Sequence, residues 1–187
     1  MIPHDYPTEF VSRTIKLMEE FYSEIKAKEL EVTFLLNCLL GLIIATNEST
    51  ENSEYFTNTL ITNEEIKKYI PKSIAQLNTS ELNKSIKNLI NEKSLLNQLN
   101  AEIELNNKIK IDKSEQLTNL SLKQFIRKIR NGIAHQNLMP TSDNDHWKGI
   151  RIWNHNTNGI KDFEVEFTIS ELKNFALFVG NKFIEIK

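Results

Sequence analysis

Residues 125–135 read Phe125-Ile126-Arg127-Lys128-Ile129-Arg130-Asn131-Gly132-Ile133-Ala134-His135, and Leu122 precedes them on the same pattern. Leu122, Phe125, Ile126, Ile129 and Ile133 recur at three- and four-residue spacing, which gathers them on one face of an α-helix. Thr118 or Ser121 supplies an N-cap, and Met139-Pro140 stops the helix. Near its end, Arg130 and His135 enclose four residues, and Asn131 follows the Arg at once. A guanidinium is always charged and grips phosphate oxygens as a two-pronged fork. An imidazole titrates near neutral pH and moves protons. The pair suits chemistry at a phosphodiester. An i to i+5 offset turns the two side chains apart by about 140° on a regular helix. Either the helix unwinds before His135, which Gly132 permits, or the site is shared between two chains.

Outward from this helix, the chain reads as mostly α. Residues 8–27 form a helix with Phe10, Ile15, Leu17, Met18, Phe21, Tyr22 and Ile25 near helical spacing. Residues 29–45 form a second, apolar on nearly every side except the stripe Thr33, Asn37 and Gly41. That stripe either lets a neighbouring helix approach through Gly41 or places Asn37 as a hydrogen-bonding support at a polar centre. Residues 47–55 read as a loop, and residues 63–70 as a short helix stopped by Pro71. Ser80 caps a further helix carrying Leu82, Ile86, Leu89 and Ile90. Residues 91–119, rich in Asn, Lys and Glu, read as a solvated insertion where substrate or partner specificity resides. Residues 149–153 and 163–167 alternate with period two around a turn-rich stretch, which predicts a β-hairpin. Residues 169–186 close the chain as a helix capped by Ser170, with Leu172, Phe175, Ala176, Val179 and Phe183 inward.

Composition sets the outer limits. The chain has 187 residues, 40% hydrophobic and 26% charged, with 5 Gly and 4 Pro, too apolar for disorder and too poor in turn-formers for a β-sandwich. One domain over residues 1–187 is expected. Cys38, alone in an apolar run, reads as a small buried hydrophobe, and a chain with one Cys supports no internal disulfide. The N-terminus lacks a signal-peptide pattern, and the longest apolar stretch, residues 32–45, falls short of the roughly 20 residues a membrane span needs. A cytoplasmic protein with no membrane partner is expected. The net charge of −2 predicts no general attraction to nucleic acid. Locally the balance reverses: residues 121–151 hold Lys123, Arg127, Lys128, Arg130, Lys148 and Arg151 against Asp143 and Asp145. His146 and His155 read as solvated residues, since their spacing with Asp143 and Asp145 matches no metal site. No metal and no cofactor is expected.

The motif helix, the apolar helix around residues 31–43 and the Ile-Arg-Ile-Trp strand at 150–153 together resemble HEPN domains, whose signature reads Arg, then Asn, Asp or His, three residues, and His. Within that class the chain is similar to a bacterial, often plasmid-borne group of HEPN nucleases. The resemblance implies an all-α, up-and-down helical bundle with one small β-hairpin before the C-terminal helix. It also implies a homodimer in which two motif helices meet across a two-fold axis. The function implied is metal-independent endoribonuclease activity of toxin or phage-defence type, leaving 2′,3′-cyclic phosphate ends on RNA. Arg130 and His135 would be catalytic, with Asn131, Arg127 and Asn37 supporting them or contacting RNA. Asn131 lies four residues before His135 and could fix the tautomer of its ring. Arg127 either extends the phosphate-binding surface or is an ordinary surface Arg. Glu31 either orients a neighbouring Arg or makes a surface ion pair. A nucleotidyltransferase-like antitoxin or another defence-system protein is the partner such a nuclease implies. The competing reading is a non-catalytic HEPN module that binds RNA, a nucleotide or a partner protein.

Overall fold

Apolar helix faces separated by short polar connections must be buried against one another, and in this chain they converge on one helix. The computed structural model describes residues 5–49, 53–71, 120–143, 146–155, 157 and 161–187. Helix α1 spans Tyr6–Ala27 and α2 spans Glu31–Ser49, with short helices α3 (Glu54–Asn58) and α4 (Glu64–Lys67) after them. Helix α5, Leu122–Ala134, carries the motif. Strands β1 (Leu138–Asp143), β2 (His146–His155) and β3 (Lys161–Thr168) follow, and α6 (Ile169–Glu185) closes the fold. The most apolar helix, α2, packs against α1, α5 and α6. The Ser80-capped helix and the Asn-rich insertion lie outside the described residues.

The aromatic core ties the motif helix to the sheet and the last helix. Phe125 of α5 meets Phe163 and Phe175 edge-on at 5.6 and 5.5 Å, and Phe175 meets Phe167 at 5.5 Å. Each such contact adds about 0.5–1.5 kcal/mol beyond burial alone. Leu172, Phe175, Ala176, Val179 and Phe183 are all buried, as the spacing of α6 predicts. Cys38 is buried too, and burial pushes its thiol up to about 11.

Several elements differ from the sequence reading. The β-structure is a three-stranded antiparallel sheet in the order β1-β2-β3, not a single hairpin. Strand β1 contains the Met139-Pro140 pair expected to stop the helix; α5 has already ended at Ala134, and the proline sits in an edge strand. That position tolerates proline because one side of an edge strand needs no ladder bond. Helix α2 runs on to Ser49, and Glu54–Asn58 is helical, where residues 47–55 read as a loop. The cap of α6 is Thr168, not Ser170: Thr168 and Glu171 form a reciprocal capping box. On α1, Val11, Ile15 and Met18 are buried, whereas Phe10, Leu17 and Phe21 stand exposed on the other side. Helical spacing finds both apolar faces of a helix that has two and does not say which one is covered.

Candidate active site

Both ends of α5 are fixed before any chemistry is considered. At its start, Ser121 accepts from the Gln124 N–H at 3.3 Å, and the Gln124 side chain accepts from the Ser121 N–H at 3.0 Å. The same turn is pinned to residues 59–61: the Leu122 N–H donates to Thr59 O at 2.8 Å, and Ile61 donates to Leu120 O at 3.0 Å.

At its end, the helix closes in a Schellman motif. The Gln136 N–H donates to Ile133 O at 3.0 Å, and the Asn137 N–H to Gly132 O at 2.8 Å. Gln136 takes the left-handed conformation this closure requires, with φ of 56°. Glycine is the residue that adopts it without a Cβ penalty of about 1–2 kcal/mol. Gln136→Gly is therefore expected to stabilise the protein by about 0.5–1 kcal/mol, after allowing for the added freedom of the unfolded chain. Urea unfolding measures it, and a loss of stability would refute the cap geometry. The next carbonyl, Asn137 O, accepts from Trp153 N–H at 3.0 Å and so fastens the helix end to β2.

Gly132 lies where that strand crosses. A Cβ there would come within 2.5 Å of Ile152 Cγ2 and 2.7 Å of Trp153 O. The glycine admits the strand backbone; the helix does not unwind at it. Regular helix continues to Ala134, and His135 is the C-cap, with φ −93° and ψ 9°. Of the two ways around the 140° offset, unwinding before His135 is thereby not used.

Within this frame Arg130 is half-buried and donates from Nη1 to Asn131 Oδ1 at 3.3 Å. Asn131 thus steadies the guanidinium, not the His135 ring as expected; toward His135 it offers its backbone carbonyl, at 3.0 Å from the His135 N–H. His135 is exposed at the helix end, and Arg127 is exposed one turn before Arg130. Asn37 is exposed on α2 and donates to Thr33 O at 2.9 Å, a bond within its own helix. Glu31 Oε2 is buried without a hydrogen-bond partner among the described residues.

The basic surface is smaller than the count from 121 to 151 suggests. Arg151 of β2 donates from Nη2 and Nε to Glu166 of β3 at 2.8 and 3.1 Å, and Glu164 lies 3.8 Å from it. A window along the chain counts the cation and misses carboxylates brought alongside by strand pairing. Neither His146 nor His155 is on a free loop. His146 begins β2 and lies 3.4 Å from Glu29 Oε1, while His155 ends the strand with Nδ1 3.4 Å from Asn137 Nδ2. His155 is therefore brought beside the end of the motif helix. Its period-two step from Trp153 was the only signal of this. Among the described residues, no three His, Cys, Asp or Glu side chains are grouped as metal ligands would be. No helix among those residues is long and apolar enough to cross a membrane.

Comparison with known families gives the class first: the protein carries a HEPN domain. The family is the one described as HEPN pEK499 p136; its model matches residues 2–187, and the chain belongs to it. A nuclease or RNA-binding role is what membership suggests. No curated protein and no solved structure matches the chain.

Proposed function

We propose that the protein is a metal-independent endoribonuclease of toxin or phage-defence type, acting through Arg130 and His135 at the interface of a homodimer. The observation that carries this reading is the end of α5. His135 is an exposed cap on a rigidly closed helix, and Arg130 is half-buried with Asn131 beside its guanidinium. In a cleft formed by two motif helices, one imidazole takes the proton from a ribose 2′-hydroxyl. The 2′-oxygen bonds to phosphorus and the bond to the 5′-oxygen breaks. The second imidazole, from the partner subunit, supplies the proton to that leaving oxygen. Arg130 neutralises charge that grows on the non-bridging oxygens. The products are a 2′,3′-cyclic phosphate and a 5′-hydroxyl. Asn131 positions the Arg, and Arg127 adds a phosphate contact beyond the scissile bond. Asn37 is a weaker candidate for the same supporting role, since its amide is engaged within α2. A nucleotidyltransferase-like antitoxin or another defence protein would hold such an activity in check, and the domain would act from the cytoplasm.

The test is cleavage of total RNA in EDTA, with chemical identification of the new 3′ ends. Cyclic phosphate ends are expected. A monomer that still cleaves would refute the shared site. One observation favours the second reading, a HEPN module that binds RNA or a partner without cutting: the Arg151 pairing removes a cation from the surface near the motif. In that case the wild type would leave total RNA intact, and expression would be equally tolerated with and without His135→Ala.

A further inference from the structure

Among the described residues, the outer face of α1 carries an exposed apolar stripe. Tyr6 and Phe10 are 60% and 36% exposed, and Leu17 and Phe21 are 44% and 43% exposed. At 100° per residue the four fall within about 60° of arc, away from the buried Val11, Ile15 and Met18. The stripe is also held in place. The Tyr6 and Phe10 rings lie 6.1 Å apart, and Phe10 rests on α2 so closely that a Cβ at Gly41 would meet its Cζ at 3.0 Å. Ile44 of α2, 43% exposed, is one turn beyond Gly41 on the same side. Large exposed side chains gathered on one rigid face mark an interaction surface.

The order of the stripe identifies what covers it. Tyr6 and Phe21 stand equally far from the midpoint between Arg13 and Thr14, and so do Phe10 and Leu17. A patch that maps onto itself in this way is what a two-fold interface between identical subunits requires. We propose that α1 is an isologous interface, occupied by the antiparallel α1 of a second copy of this chain. Tyr6 then lies over the partner subunit's Phe21, and Phe10 over the partner subunit's Leu17. The charged flank agrees. Glu9, Arg13, Lys16 and Glu20 read minus, plus, plus, minus, so the antiparallel register sets Lys16 within about 3 Å of axial rise of the partner subunit's Glu9. The two Arg13 approach each other most closely; within each chain Arg13 is ion-paired with Glu9 and Lys16 lies 3.6 Å from Glu20, so the contact between copies joins two existing pairs into a network. The exposed stripe lies on the outer side of α1, away from the buried face with which that helix packs on α2 and α6, and none of its residues belongs to the motif helix. This interface is therefore additional to the pairing of motif helices proposed above and does not depend on it.

Cross-linking of variants with one cysteine introduced on the surface tests the register, with buried Cys38 left in place. A short bifunctional maleimide is expected to join Arg13→Cys to itself, because residue 13 lies at the two-fold axis. Phe21→Cys is expected not to join to itself, but to join a differently tagged Tyr6→Cys chain on mixing. Sedimentation of Leu17→Glu is expected to show half the mass of the wild-type assembly. No product at Arg13→Cys, or equal self-linking at residues 13 and 21, would overturn the proposal. The readout uses no RNA, so an inactive protein that still links at residue 13 would refute the nuclease and leave this interface standing.

Discussion

His135→Ala is expected to reduce RNA cleavage in EDTA by about 10²–10⁴-fold, the range lost when a positioned proton-transfer group is removed. Little else should change. The His135 ring is exposed, and what the helix end takes from this residue is its backbone N–H, bonded to Asn131 O. Surface substitutions without such a structural role stay within about 0.5 kcal/mol. The thermal midpoint should therefore remain at the wild-type value while cyclic phosphate ends disappear from the products. Arg130→Ala should cost about 10²–10³-fold by loss of charge stabilisation. Arg130→Lys should recover little of it, because an ammonium cannot reproduce the two-pronged contact. Equal cleavage by wild type and His135→Ala would end the catalytic assignment.

Gly132→Ala, three residues earlier, should fail in the opposite way, by stability and not by chemistry. The new methyl would meet Ile152 Cγ2 at 2.5 Å and Trp153 O at 2.7 Å. The isoleucine methyl can rotate aside; the carbonyl belongs to the strand backbone. Moving that strand strains the Trp153 N–H bond to Asn137 O, which fastens the helix end. Overpacking costs about 1–3 kcal/mol and a weakened hydrogen bond about 1 kcal/mol more. Alanine's better helix propensity returns about 1 kcal/mol. A net loss near 2 kcal/mol should lower the thermal midpoint by roughly 4–8 °C in a chain of this size. An unchanged midpoint would show that β2 does not cross the helix at Gly132. A scan across the motif that records only activity would confuse the two residues; melting curves separate them.

The motif helix could be read from the sequence because its signals are local. Ser121 with Gln124 is a capping box four residues long, and the apolar spacing from Leu122 to Ile133 repeats within one element. The inward face of α6 was readable for the same reason. Strand β1 was not. Its few residues contain Pro140, and only pairing with β2 makes them a strand. The partner of Arg151 was equally hidden, because Glu166 lies 15 residues away and arrives through register. Phe10, Leu17 and Phe21 fell in a helical pattern whose two sides are both apolar, and which side is covered is a property of the packing. At the site, the identity of Arg130, Asn131 and His135 was readable, while the use of Asn131 was not. Both the Arg and the His lie within its reach, and only the side-chain geometry separates them.

Pro140 has a consequence for how copies of this protein meet. It lies in β1 at one margin of the sheet, and the pairing register shifts between Thr141 and Ser142 in the same strand. A missing N–H and a local irregularity are two ways in which a sheet margin is kept from recruiting a strand of another molecule. Continuous sheet growth across chains, the route to fibrillar deposits, is thus disfavoured along β1. Contact between copies along β1 is thereby disfavoured, and the helical faces are left as the surfaces open to association.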